Sequence, residues 1–304
     1  MPKFRFLEMD GKIIEFLSTD RLILNGMLCE AKRNGNRKRR SCIVYVHGLE
    51  GTFYSNHLLK ALSKHVVRAG VSLFSIETRG SYTLYALKKP RTKNKKKIYT
   101  ASGGAVEKFE DCVKDIRGAI NRMVALGYNE IILAGHSTGC QKTAYYQYKF
   151  KDPRVSGLIF MAPMEDRPGY IKILGKKFNQ TVANARRLYK KNSRAMLPKD
   201  YGVGTMGARR FLSLTDTRFP ESRMFCYDSN LKEFGSIRKP ILAVFGGSDE
   251  YAVMTPALYA AKLQKAAEAK NVSISIISGA THSFSEREAK LSKTVTDWIA
   301  SNGW

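Results

Sequence analysis

The sequence predicts an α/β protein with a mostly parallel central sheet, helices on both faces and one inserted segment over the sheet edge. Three observations predict it. Short, almost wholly apolar runs alternate with longer segments whose apolar residues recur every three or four positions. The runs lack the apolar-polar alternation of a sheet that faces water, so they read as strands buried on both faces. Finally, the alternation lapses once, between Pro163 and Lys239, where aromatic, basic and small residues mix without an evident strand.

Each element can be justified in order. The opening segment reads as an antiparallel pair turning at Asp10-Gly11, continued by Leu22-Ile23-Leu24 through Met27-Leu28. Cys42 to Val46 is a buried strand that ends in His47-Gly48-Leu49-Glu50-Gly51, and His57 and His65 fall in the helix expected next. Val71 to Ile76 is another strand. Phe109, Cys112, Val113, Ile116, Ile120 and Met123 give the following helix one apolar stripe, which Gly127 closes. Ile131 to Ala134 is a strand running into Gly135-His136-Ser137-Thr138-Gly139, and a helix opens after it. Val155 to Phe160 and Ile241 to Phe245 are further strands on either side of the irregular segment. Thr255 and Pro256 mark a helix start by cap and first-turn preference. Val272 to Ile277 alternates with strand period, and Ser285 with Glu288 forms a capping box for a last helix that turns Leu291, Val295, Trp298 and Ile299 inward and meets Gly303.

The chemistry centres on the pentapeptide. A G-x-S-x-G turn between strand and helix lifts a serine hydroxyl clear of the sheet, and glycines let neighbouring backbone approach. A serine nucleophile needs a base to take its proton and a carboxylate to hold that base in one tautomer. Asp249 follows the strand ending at Phe245, and His282 follows the strand ending at Ile277. Both are residues just past a strand, as Ser137 is. Glu250 adjoins Asp249 and competes with it for the acid's place. The other histidines have structural uses: His47 stabilises a turn, His57 and His65 lie in a helix, and His136 occupies the variable position of the pentapeptide.

The order Ser137, Asp249, His282, each after its own strand, resembles the α/β-hydrolase superfamily over almost the whole chain. The resemblance implies an α/β-hydrolase core at 1–162 and 240–304 and a cap over the active site at 163–239. It also implies an oxyanion hole from the amides of Leu49, in the His-Gly turn, and Thr138. Carried to chemistry, this is a serine esterase working through a Ser-His-Asp triad and an acyl-enzyme, with a small-molecule ester as substrate and neither metal nor organic cofactor. Acyl transfer, amide cleavage and carbon-carbon hydrolysis share the same groups and stay open. Gly135 to Gln141 with Ala162-Pro163-Met164-Glu165-Asp166-Arg167 is similar to the branch containing fungal siderophore esterases, although that branch has serine where Glu165 stands. Feruloyl-type esters are a further expectation.

Charge is the second unusual property. The chain has 52 Lys and Arg against 26 Asp and Glu in 304 residues, a net of +26, and 43% hydrophobic residues suffice for one sizeable core. One basic run, Lys32-Arg33 with Arg37 to Arg40, precedes a strand and lies away from the site. A second, Lys88-Lys89 with Arg91, Lys93 and Lys95 to Lys97, follows a strand on the edge where ligands bind. Lys172, Lys176, Lys177, Arg186, Arg187, Lys190, Lys191 and Arg194 carry the charge into the cap. Such runs are solvated faces or they steer anionic substrates, anionic polymers or surfaces. Nucleic-acid binding is the alternative of another class, with Tyr145, Tyr146 and Tyr148 beside Lys142 and Lys149 as its aromatic support. The N-terminus meets charge at once and no run approaches the ~20 apolar residues of a spanning helix, which predicts a soluble, cytoplasmic protein. Five scattered cysteines, Cys29, Cys42, Cys112, Cys140 and Cys226, suggest neither a disulfide framework nor a zinc site. Gly202-Val203-Gly204-Thr205-Met206-Gly207 matches a dinucleotide fingerprint in letters, but no strand precedes it, so it reads as a turn.

Overall fold

A computed structural model describes residues 9–32, 39–90, 99–268 and 272–304. Strands β1 (Lys12–Leu17) and β2 (Ile23–Cys29) pair antiparallel, joined by a turn that Ser18 closes through its amide and hydroxyl to Leu22. Asp10-Gly11 therefore precedes β1, and the strand expected before it lies outside the described residues. Next come β3 (Ser41–Val46), α1 (His57–Arg68), β4 (Ser72–Ile76) and a short hairpin of β5 (Tyr85–Lys88) and β6 (Tyr99–Ser102). Helix α2 (Cys112–Ala125), strand β7 (Glu130–His136), helix α3 (Thr138–Phe150) and strand β8 (Val155–Met161) complete the first half.

From β8 the chain leaves the sheet for α4 (Asp166–Leu174), α5 (Phe178–Lys191), α6 (Ala208–Thr215), α7 (Pro220–Met224) and α8 (Lys232–Gly235). It returns through β9 (Ile241–Gly246), α9 (Pro256–Ala266), β10 (Val272–Ile277) and α10 (Glu288–Ser301). The eight-stranded sheet has the order β1-β2-β4-β3-β7-β8-β9-β10, parallel from β4 to β10 with β1 and β2 as an antiparallel edge.

Strand periodicity divides the core. In β3, Cys42, Val44 and Val46 face one layer, with Ile116 and Ile120 of α2 and Ala144 of α3. Ile43 and Tyr45 face the other layer, with Leu58, Leu62 and Val66 of α1 and Leu291, Val295 and Trp298 of α10. β7 repeats the division with Ile131 and Leu133 against Ile132 and Ala134, which is why both strands read as continuous apolar runs. Gly303 turns after α10 with φ +74, as expected, and Thr255 caps α9 through its hydroxyl to the Leu258 amide. The capping box does not form: α10 starts at Glu288 without a side-chain cap, and Ser285 Oγ pairs with Ser283 Oγ at 2.9 Å instead.

The helices between β8 and β9 bury their own cluster, including Leu174, Phe178, Val182, Phe211 and Leu212. Apart from a single bridge between Met196 and Gly207, no β pairing occurs there among the described residues. The G-x-G-x-x-G letters form a turn, with Gly202 at φ +71 and Gly204 at φ +72 after a one-turn helix at Lys199–Tyr201. A buried ionic network ties this layer to the sheet. Lys142 of α3 lies 3.0 Å from Glu107, Glu107 lies 3.1 Å from Arg210 of α6, and Arg210 pairs with Glu221 of α7. All four side chains are fully buried. Burial pushes the Glu107 carboxyl up, but the charges of Lys142 and Arg210 outweigh it and hold it below its ordinary value. All five cysteines are buried as free thiols, and no described helix is long and apolar enough to cross a membrane.

Candidate active site

The carboxyl ends of β3, β7, β8, β9 and β10 converge on one cavity of about 620 Å³, lined among others by Gly48, Leu49, His136, Ser137, Glu165, Asp166, Tyr170, Tyr251 and His282. Ser137 sits between β7 and α3 at φ 55 and ψ −129, a strained conformation for a residue with a Cβ. Neighbouring bonds hold it there: its amide donates to Met161 O at 3.0 Å and its carbonyl accepts from the Cys140 amide at 2.8 Å. The flanking glycines are required by space. A Cβ on Gly135 would stand 2.4 Å from the Gly139 carbonyl, and one on Gly139 would stand 2.2 Å from Val46 O.

Asp249 and His282 come together as a pair. The Nδ1 of His282 hydrogen-bonds Asp249 Oδ2 at 2.8 Å, with the carboxylate fully buried and the histidine 9% exposed. The other Asp249 oxygen accepts from the Tyr251 amide at 3.0 Å. A carboxylate on Nδ1 fixes the tautomer in which Nε2 carries the lone pair. Ser137 and His282 line the same cavity, with no hydrogen bond between hydroxyl and imidazole among the described residues.

Glu250 does something else. Its Oε2 accepts the backbone amide of His282 at 2.9 Å, while His136 Nε2 donates to the His282 carbonyl at 2.9 Å. His282 is therefore held at its ring and at both sides of its backbone. His136 is fully buried, and burial together with the nearby His282 pushes its pKa down to about 4, consistent with a neutral donor. His47 Nδ1 donates to Gly48 O at 2.7 Å, and its Nε2 accepts from Ser81 Oγ at 2.8 Å. Burial and the charge of Lys142 push it down to about 3, so it stabilises the turn as expected.

That turn brings Gly48 against Ser137: a Cβ there would touch Ser137 Cβ at 3.0 Å. Leu49 thus lies in the segment that passes Ser137. Thr138 opens α3, so its amide is among those with no carbonyl partner inside the helix. Neither amide donates to a loop carbonyl among the described residues.

The charged groups of the cavity come from a place the sequence did not single out for chemistry. Glu165 and Asp166 lead into α4, and no lysine or arginine lines the cavity among the described residues. Burial, reinforced by Asp228 for Glu165 and by Glu221 for Asp166, pushes both carboxyls up to about 7. Their position four and five residues past Met161, the end of β8, was the available signal.

The basic runs are only partly described. Arg39 pairs with Glu130 at 3.3 Å, and Arg40 stacks on Tyr128 and donates to Leu126 O. Arg33, Arg37, Lys38, Arg91, Lys93 and Lys95 to Lys97 lie outside the described residues. The aromatic support for nucleic-acid binding is partly internal: Lys142 is buried on Glu107 and Tyr146 is buried with its hydroxyl on Asp152 at 2.5 Å, while Tyr148 and Lys149 are exposed.

Solved structures share this architecture. The siderophore hydrolase EstB from Aspergillus fumigatus superposes with a TM-score of 0.69 at 19% identity, covering 98% of this chain and 100% of that one. A soluble variant of monoglyceride lipase from Saccharomyces cerevisiae, bound to a substrate analogue, gives 0.67 at 15% identity with 99% of each chain covered. Est1E from Butyrivibrio proteoclasticus, bound to ferulic acid, gives 0.64 at 17% identity, covering 94% of this chain and 98% of that one. At these identities the likeness establishes the α/β-hydrolase fold. No curated protein matches the chain. Residues 19–301 match the family described as protein of unknown function DUF1749, and the chain belongs to that family.

Proposed function

We propose that the protein is a serine hydrolase that cleaves carboxylic esters at Ser137. In this reading Ser137 Oγ attacks the ester carbonyl as His282 Nε2 takes its proton, and the amides of Leu49 and Thr138 donate to the oxygen that becomes negative. His282 then passes the proton to the departing alkoxide, which leaves as the alcohol. Water, deprotonated by the same imidazole, attacks the acyl-enzyme and frees the acid and the serine. Asp249 orients His282 and stabilises its cationic form. The hydroxyl closes on the imidazole when substrate fills the cavity, a tightening common to sites of this kind.

The observation that carries the proposal is the 2.8 Å Asp249–His282 hydrogen bond opening on the cavity that also receives a backbone-strained serine. The hydrolase and lipase among the structural neighbours support ester cleavage over amide cleavage, acyl transfer or carbon-carbon hydrolysis. The segment 163–239 acts as the cap, since Glu165, Asp166, Tyr170 and Ile173 all line the cavity.

The test is release of p-nitrophenol from short-chain p-nitrophenyl esters by the purified protein. Ser137→Ala is expected to abolish release while leaving the circular dichroism spectrum and melting temperature in the wild-type range. Activity that survives in Ser137→Ala refutes the assignment.

A further inference from the structure

In a chain with twice as many basic as acidic side chains, the cavity holds two carboxyls and, among the described residues, no lysine or arginine. Neither Glu165 nor Asp166 lies within ion-pair distance of a protein cation among the described residues, while nineteen other pairings of acid and base are made. Asp166 Oδ2 accepts from Gln141 Nε2 at 3.2 Å, and Glu165 Oε2 takes a long 3.4 Å bond from the Tyr227 amide. Guanidiniums act on both only from beyond pairing distance, Arg167 on Glu165 and Arg210 on Asp166; Arg167 lies over the Phe178 ring and Arg210 is committed to Glu107 and Glu221. Two half-buried carboxyls without a directly paired protein cation are costly to ionise, and a bound cation would offset that cost.

Two aromatic rings complete the surroundings. Tyr170 lies one helical turn after Asp166 and packs edge-on against Phe211, while Tyr251 packs edge-on against His282 with ring centroids 4.8 Å apart. Carboxylates combined with aromatic rings are the chemistry that recognises alkylammonium groups, by charge and by cation–π attraction together.

We propose that Glu165 and Asp166, with the rings of Tyr170 and Tyr251, form a subsite for an ammonium group, so that the substrate is an ester whose acyl or alcohol portion carries a protonated amine or quaternary nitrogen. This rests on the esterase reading for its chemistry, but the subsite can be detected without turnover. It also reverses the charge preference that composition suggests: the +26 surface surrounds a site of opposite sign.

The experiment compares three p-nitrophenyl esters whose acyl chains end in trimethylammonium, tert-butyl or carboxylate groups. At about pH 8, where the carboxyls are ionised, kcat/KM for the ammonium ester is expected to exceed that of its tert-butyl isostere by about tenfold or more, with the carboxylate ester lowest. In E165Q/D166N the ammonium-to-neutral ratio is expected to fall to about one, and E165Q alone serves if the double variant does not fold. A second arm measures tetramethylammonium binding to Ser137→Ala by titration calorimetry, with and without the two carboxyl substitutions. A wild-type ratio near or below one, or a ratio that persists in the carboxyl variants, overturns the proposal. Carboxyl-dependent binding without hydrolysis of any ester upholds the subsite and overturns the esterase reading. Hydrolysis of the neutral ester without ammonium binding does the reverse.

Discussion

Asp166→Asn should make the protein more stable in alkaline solution, because the folded protein disfavours the ionised form that this carboxyl then takes. Burial, with Glu221 adding to it, raises this group from the ordinary 3.8 to about 7, while Arg210 and His282 act in the opposite sense. A carboxyl whose pKa rises on folding binds more protons in the native state than in the unfolded chain. Its contribution is therefore most favourable below 3.8, declines as pH rises, and reaches its full penalty above about 7. At about 1.4 kcal/mol per pH unit, the gap sets an upper bound of about 4 kcal/mol. The side chain opens partly onto the cavity, where water lowers the cost, so about 2 kcal/mol is the expected difference. Asparagine keeps an oxygen for Gln141 Nε2 and cannot ionise. Thermal unfolding followed by circular dichroism between about pH 5 and 8, a window that carries about two thirds of that difference, should show the variant gaining about 2 °C on wild type as pH rises. Melting curves that run parallel across the range refute the reasoning. Taking the difference between the two proteins removes the contributions of His47 and His136, which both share.

Three further outcomes follow from the geometry. Removing either backbone clamp on His282, by Glu250→Ala or His136→Ala, should lower kcat by about ten- to a hundredfold with KM within about twofold, and Glu250→Gln, which retains an acceptor, should recover most of it; a change confined to KM would contradict a positioning role. Gly139→Ala should cost about 3 kcal/mol, because its Cβ would meet Val46 O at 2.2 Å and His47 O at 2.8 Å; urea unfolding reads the loss. Lys142→Met should destabilise by about 3–5 kcal/mol by leaving Glu107 buried with one cation fewer, and adding Glu107→Gln should restore part of the melting temperature.

The sheet was legible because five of its strands are buried on both faces, so runs such as Cys42 to Val46 and Ile241 to Phe245 carry little but apolar residues. The β5–β6 hairpin was not: Tyr85-Ala-Leu-Lys and Tyr99-Thr-Ala-Ser are mostly exposed, and only Leu87 and Ser102 bury. In the inserted segment the spacing of Phe178, Val182 and Ala185 held a helical stripe, obscured by the short elements and turns around it. Within the site, sequence placed Asp249 and Glu250 side by side with equal chemistry. Only the path of the loop decides that one carboxylate reaches the ring and the other the amide. The role of His136 was hidden for the same reason, since its partner is a carbonyl 146 residues away. Glu165 and Asp166 stand at the start of a helix, a position where acids are common for capping, and only their place shortly after β8 signals that they face the cavity.

The chain of charges from Lys142 through Glu107 and Arg210 to Glu221 bears on how anything enters. Swinging α6 and α7 outward as one body would pull a fully enclosed guanidinium off its anionic partners, and breaking such contacts costs several kcal/mol. Arg210 thus acts as a rivet between α3 and the layer above it. The open rim of the cavity lies instead beside α4, where Ile173 and Tyr251 stand 65% and 60% exposed.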